Sequence, residues 1–361
     1  MKCIAFCALG FEDILLNDIQ EILNIKAKKE TGCCIFEATK EKIAKFAFVS
    51  QSIEKIGVLL KEGIINDIPE IDISDVEFEI NNTFFLDCSI NGIKPFKSND
   101  VQLYVSNQII KKTKKKAVYK NPGILYNIEI IGKKFYLTIN LSSKELYNRD
   151  YKVFANKNSL RGTIAYSVTR IADVKKKDKI LDPFCRSGEI GIELIHYFLG
   201  KSVHHYAKDK FTFNKIGWNI ELSDNDKKVD CEINLADSSM PNIKASEKNA
   251  KIAGINKFLN FSRIQTEDLD LKYENIDKII TQLPVIGKET KQKVIKIYRY
   301  FFEVTKKILK KDGKIICIGN NIDAALEIAE QNDYKLIHQR EVMQGKELMK
   351  VYIFETNRDN R

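Results

Sequence analysis

The sequence predicts an α/β chain in two parts: small α+β modules over the first 150 residues or so, then a parallel sheet of the nucleotide-binding type. Three observations carry this. The run from Lys179 to Leu194 reads as a short apolar strand, a tight small-residue turn and an amphipathic helix. The stretch "CEINLADSSMPNIKASEKNAKIAGI" reads as a strand over Cys231–Ala236 with Asp237 at its end, followed by a helix with Ala and Ile at packing positions. Further on, "KQKVIKIYRYFFEVTKKILKKDGKIICIGNN" gives a long amphipathic helix, a Lys-Asp-Gly turn and a buried strand. Strands alternating with helices in this way build parallel βαβ units.

Composition sets the frame. A chain of 361 residues, 44% apolar and 30% charged, has room for two or three domains with real cores and is not disordered. Its net charge of +10 and pI near 9.0 favour a polyanionic partner. The first 150 residues are close to neutral, so the surplus lies in the remainder, although lysines cluster locally before that point. Eight cysteines without a CxxC pair read as reduced core residues of a cytosolic protein. No run approaches the roughly 18 apolar residues of a membrane span, and no signal region leads the chain. A soluble, cytoplasmic protein, monomeric and without membrane attachment, is expected.

In order, "KCIAFCAL" is strand-like, and Phe11, Leu15, Ile19 and Ile22 then recur at helical spacing. A short strand around Cys33–Phe36 and a helix near Ile43–Val49 complete a small module. The text changes near Phe78. "FFLDCSING" is strand-like, Ser98-Asn99-Asp100 offers a helix cap, and "VQLYVSNQIIKKTKKKAVY" gives an amphipathic helix ending in lysines, which complement its dipole. "ILYNIEIIGKKFYLTINLS" alternates apolar residues on two arms about Gly132-Lys133, a hairpin.

Asn148-Arg149-Asp150-Tyr151 marks a boundary, and Ile164, Val168 and Ile171 then form an apolar helical stripe. The polar and aromatic stretch from His196 to Cys231 reads as an insertion or lid between the first two strands of the sheet. Its adjacent histidines, His204 and His205, point apart and have no acidic or Cys partner at ligand spacing, so no metal is expected. "FLNFSRIQTEDLDL" supplies a third strand and "NIDKIITQLPVIGK" a fourth. A helix over Ala324–Gln331 and the strands "YKLIHQREVM" and "LMKVYIFET" close the sheet as an antiparallel hairpin.

"LDPFCRSGEIGIEL" resembles the first motif of S-adenosylmethionine-dependent RNA methyltransferases that carry an N-terminal THUMP domain. Two positions depart from that family's "DPFCGSGTI" pattern: Arg186 stands where Gly is usual, and Glu189 where Thr is usual. The segments "NPGILYNIEI" and "FYLTINLS" beside the lysine cluster resemble a THUMP domain, and "ELYNRDYKVF" resembles the family's linker. The resemblance implies a ferredoxin-like module over 1–65, a THUMP-like RNA-binding domain over 66–150 and a catalytic domain over 158–361. That last domain would be a Rossmann-like, seven-stranded class I methyltransferase sheet.

It also implies S-adenosyl-L-methionine as cofactor, held by Arg161, Asp182, Phe184, Cys185, Ser187, Gly188, Asp237, Ser238 and Asp268. The residues support part of this independently. A turn after a parallel strand aims backbone N–H groups at a ligand, and an acid at the tip of the next strand can accept both ribose hydroxyls. Lys111, Lys112, Lys114, Lys115, Lys116 and Lys120 are the candidate phosphate contacts to tRNA or another structured RNA.

The family's fourth strand ends in an N/D-P-P-Y/F motif, whose amide or acid oxygen and first Pro carbonyl accept hydrogen bonds from an exocyclic amine while the aromatic stacks on the base. Here the aligned residues are Gln282-Leu283-Pro284-Val285. Gln282 keeps an amide oxygen, Leu283 a carbonyl and Pro284 the rigid turn, but Val285 cannot stack. The expected activity is formation of N2-methylguanosine in tRNA. The alternative, motivated by Arg186 and Val285, is an RNA-binding protein that keeps the methyltransferase fold without turnover.

Overall fold

The computed structural model describes residues 1–78, 83–142, 145–156, 158–208, 211–224 and 227–357. The chain forms two compact units. One comprises Met1–Cys7, Leu15–Leu146 and Ala207–Ser223; the other comprises Ala8–Ile14, Tyr147–Tyr206 and the chain from Asp224 onward.

The first unit is built on an eight-stranded sheet. Its strands are β1 (Lys2–Phe6), β2 (Lys28–Glu30), β3 (Cys33–Glu37), β4 (Lys55–Ile64), β5 (Thr83–Asn91), β6 (Lys116–Ala117), β7 (Ile124–Ile131) and β8 (Lys134–Asn140), in the order β2-β3-β1-β4-β8-β7-β5-β6. Helices α1 (Glu12–Leu23), α2 (Lys40–Val49) and α3 (Ser98–Thr113) lie along the same stretch. The pairing of β4 with β8, from Gly57 opposite Asn140 to Ile64 opposite Lys134, makes one continuous sheet of strands from residues 1–65 and 66–150. Strands β7 and β8 turn at Gly132, which has φ of +57° as the tight hairpin requires. Helix α3 begins one residue after its cap, Lys97, whose N–H donates to Asp100 Oδ2 at 3.1 Å; Asp100 therefore closes the helix start that the sequence suggested for Ser98.

The second unit has α4 (Gly162–Ile171), β9 (Lys179–Asp182), α5 (Glu189–Leu199), β10 (Glu232–Asp237), α6 (Met240–Ile252), β11 (Leu259–Arg263), β12 (Ile276–Gln282), α7 (Lys291–Ile308), β13 (Leu309–Gly319), α8 (Ala324–Gln331), β14 (Tyr334–Gln344) and β15 (Glu347–Thr356). Its sheet runs β11-β10-β9-β12-β13-β15-β14, with all strands parallel except β15, which pairs antiparallel with both β13 and β14. One face buries Ile164, Ile192 and Ile243 from α4, α5 and α6; the other buries Tyr298, Phe301 and Ile328 from α7 and α8. Strand order reverses between β9 and β12, and at such a switch point the strand ends splay to leave a ligand crevice.

Two sequence expectations differ from the structure. Lys311-Asp312-Gly313 is not a turn between helix and strand: α7 passes directly into β13. The extra residues form a bulge, with Ile276 opposite Leu309 and Lys278 opposite Lys314. The insertion after α5, read as one piece between the second unit's first two strands, is divided between the units. Its residues 207–223 belong to the first unit, where Phe211, Phe213 and Trp218 are buried with Phe46, Phe48 and Leu146. The rings of Phe211 and Phe213 stack at 5.3 Å, and those of Phe213 and Trp218 at 5.9 Å.

Candidate active site

At the carboxyl ends of β9, β10 and β12 lies a cavity of about 500 Å³, lined by residues from five segments. Phe184 and Arg186 come from the turn after β9, Asp237, Ser238, Ser239 and Asn242 from the end of β10 and the start of α6, and Gln265, Thr266 and Glu267 from the turn after β11. Pro284 follows β12, and Lys293, Lys296, Ile297 and Tyr300 present one face of α7. The spacing of that face, i, i+3, i+4, i+7, follows the helix period, with Tyr298 and Phe301 buried on the opposite side.

Asp237 organises the acidic side. Its Oδ1 accepts from the Ser239 N–H at 2.9 Å and its Oδ2 from the Arg186 N–H at 3.1 Å, so the carboxylate ties the first turn to the second. Each oxygen retains a lone-pair direction, the acceptor capacity that a vicinal diol needs. The apolar surfaces of Phe184, Pro284 and Ile297 face the same space, which suits a planar base.

The other residues of the first turn support it from below. Asp182 is buried and accepts from Thr281 Oγ1 at 2.5 Å and from the Phe184 N–H at 3.2 Å. Its pKa is raised to about 7, chiefly by burial and also by the charges of Asp237 and Glu189, against the lowering effect of those two hydrogen bonds. Cys185 is buried with its N–H on the Ala236 carbonyl, and burial holds its thiol neutral. Ser187 turns its hydroxyl to Glu189 Oε1 and Ser159 Oγ, both at 2.7 Å. Gly188 opens α5 at φ +87°; a Cβ there would meet the Ser246 Cβ at 2.8 Å, so glycine is needed for packing against α6.

Of the residues assigned to the cofactor, then, Phe184, Asp237 and Ser238 line the cavity, while Asp182, Cys185, Ser187 and Gly188 belong to the adjoining strand end and turn without lining it. Two lie elsewhere. The Arg161 guanidinium sits 3.7 Å above the Tyr147 ring and the Arg161 backbone N–H donates to Gln344 Oε1, away from the cavity lining, because Arg161 precedes α4 rather than following a sheet strand. In the short 3₁₀ turn after β11 it is Glu267, not Asp268, that lines the cavity.

The segment after β12 is held rigidly. Gln282 is buried and its Nε2 donates to the Asn158 carbonyl at 2.8 Å. The Leu283 N–H donates to Ile318 at 3.0 Å, and its carbonyl accepts from Arg186 Nη2 at 3.3 Å. The Pro284 carbonyl accepts from the Tyr298 hydroxyl at 2.6 Å. Tyr298 was not legible as a site residue; Tyr300 lies in the cavity and supplies an aromatic face that Val285 lacks.

The lysines assigned to RNA stand at the end of α3 and just beyond. Lys111, Lys114, Lys116 and Lys120 are exposed, Lys114 as the left-handed cap of the helix. Lys115 is half-buried, and Lys112 donates to the carbonyls of Ser74 and Val76, both at 2.6 Å, so it anchors a loop. In the second unit, His205 pairs with Asp224 and His204 Nε2 lies 3.5 Å from Arg149 Nη1. Among the described residues, no helix is long and apolar enough to cross a membrane.

A sheet ordered 3-2-1-4-5-7-6 in its own strand numbering, with an acid-tipped second strand beside a crevice, defines a class I methyltransferase domain. Residues 149–350 match the model of the RMKL-like methyltransferase domain, and the chain belongs to that family. Relatives include the tRNA (guanine(6)-N2)-methyltransferase of Methanocaldococcus jannaschii, 25% identical over 95% of this chain and 97% of that one. The enzyme of the same name from Archaeoglobus fulgidus is 20% identical over 96% and 90%. Among solved structures, TrmN from Thermus thermophilus aligns with a TM-score of 0.74 at 17% identity, covering 98% of this chain and 99% of that one. SMU.472 complexed with SAH aligns at 0.79 and 17%, covering 99% and 98%. These two show the shared fold.

Proposed function

We propose that this chain is an S-adenosylmethionine-dependent tRNA methyltransferase acting on the N2 amine of a guanosine, in the cytoplasm and as a monomer. The observation that carries the reading is the acid-tipped cavity of an RMKL-like domain, in a chain that aligns along 95% of its length with a tRNA guanine-N2 methyltransferase. The donor set fits the cofactor's nucleoside: Asp237 for the ribose hydroxyls, Phe184 and Pro284 against the base, and Glu267 and Gln265 toward its edge. Bound there, the cofactor supplies an electrophilic methyl group.

The protein's own part is placement. No strong base is needed, because an exocyclic amine that donates hydrogen bonds to the Gln282 amide oxygen and the Leu283 carbonyl keeps its lone pair directed at the methyl carbon. Pro284 and the Tyr298 bond fix that turn. The lysines beyond α3, in a THUMP-like first part, would bind RNA phosphates without reading sequence.

A second reading, an RNA-binding protein without turnover, is favoured by the contact of Arg186 with the Leu283 carbonyl. Transfer of a tritiated methyl group to bulk tRNA separates the two. Methylated guanosine, lost in Gln282→Ala with cofactor binding retained and lost in Asp237→Ala together with cofactor binding, supports the enzyme. Cofactor binding without transfer to any RNA supports the second reading.

A further inference from the structure

Arg186 occupies a position where the resembled family has glycine, and it reaches across the crevice. Its backbone is in the left-handed region, φ +50°, with the N–H on Asp237. Its guanidinium lines the cavity and donates through Nη2 to the Leu283 carbonyl, while Nε is buried with no hydrogen-bond partner among the described residues. The charge therefore spans the ends of β9 and β12, in the hollow beside the carbonyl assigned to the target amine. It is partly desolvated there, and the carboxylates that bear on it are, in order, Asp237, Asp182 and Glu189.

Of these only Asp237 lines the cavity and would otherwise face a cationic ligand there; Asp182 is held by Thr281 and the Phe184 N–H, and Glu189 by Ser187 and Lys152. S-adenosylmethionine carries a sulfonium and so one positive charge more than S-adenosylhomocysteine, while the two share every other group. We propose that Arg186 reads this difference: it supplies the pocket's cation internally, so the demethylated product binds more tightly than the methyl donor, and the donor enters by displacing the guanidinium from Leu283. The inference rests on the cofactor assigned above.

The test is calorimetric titration of the full chain, wild type, Arg186→Gly and Arg186→Lys, with each nucleoside. A glycine suits the left-handed backbone, so that variant relieves strain and folds. The wild type is expected to prefer adenosylhomocysteine, Arg186→Gly to shift the ratio of the two affinities toward the donor by at least about tenfold, and Arg186→Lys to keep the wild-type preference. Binding of both nucleosides with the same affinity ratio in wild type and Arg186→Gly overturns the role of Arg186 and leaves the methyltransferase assignment standing. Failure of all three proteins to bind either nucleoside removes both.

Discussion

Arg149 Nε lies 2.8 Å from Glu193 Oε1, with both side chains fully buried, and Tyr151 donates its hydroxyl to the same oxygen at 2.7 Å. Removing one member deprives the other buried charge of this ion pair. Glu193→Ala should therefore destabilise the protein by about 3–5 kcal/mol, and the double change Arg149→Met, Glu193→Leu by much less, in urea unfolding. A Cβ on Gly162 would fall 2.4 Å from Arg149 Nε, so Gly162→Ala should cost about 1–3 kcal/mol through the same cluster. Equal losses for Glu193→Ala and the double variant would contradict the pairing.

Asp182 gives stability a pH dependence of known sign. Burial, the largest cause, raises its folded pKa from 3.8 to about 7. The folded state therefore binds this proton more tightly, a contribution fully present below pH 4 or so and lost as pH rises toward 7. Asp182→Asn stays neutral throughout. The wild-type stability measured against this variant should fall between about pH 4 and 7, by at most about 1.4 kcal/mol per pH unit. A flat difference across that window would place the charge elsewhere.

The lysines beyond α3 divide by geometry. Replacing Lys111, Lys114, Lys116 and Lys120 by Ala should weaken tRNA binding, with melting unchanged. The slope of log K against log salt should become shallower by about 0.7–0.9 for each phosphate that the variant no longer neutralises. Lys112→Ala should instead lower stability, because its ammonium satisfies two loop carbonyls. Filter binding over a salt series, with thermal melts, distinguishes them.

Tyr298→Phe tests the turn after β12. It removes the donor to the Pro284 carbonyl, which costs about 1–3 kcal/mol if that carbonyl stays unsatisfied. Methyl transfer should slow while the affinity for cofactor remains, since Asp237 and Phe184 are untouched. Loss of cofactor affinity would mean that Tyr298 acts on the nucleoside side.

Asp237 could be read directly from the chain because its signal is local. An acid closing an apolar run, followed at once by an amphipathic helix, places the carboxylate at a strand tip wherever the strand sits. The Gly132 hairpin was legible for the same reason. Arg161 and Asp268 were assigned by resemblance, and their surroundings depend on which element packs beside them: Tyr147 and Gln344 claim the first, and the 3₁₀ turn presents Glu267 instead of the second. Lys293, Lys296, Ile297 and Tyr300 have plain helical spacing, yet nothing in α7 alone says which of its faces meets the cavity.

By itself the sequence determined the alternation of strands and helices, the acid at the tip of β10 and the departures at Arg186 and Val285, all properties of neighbours along the chain. Only the tertiary structure decided that residues 207–223 return to the first unit's core, that Arg186 reaches the Leu283 carbonyl and that Tyr298 braces Pro284. Those pairings join segments far apart along the chain, and the burial and hydrogen bonding that select them exist only once the sheets have assembled.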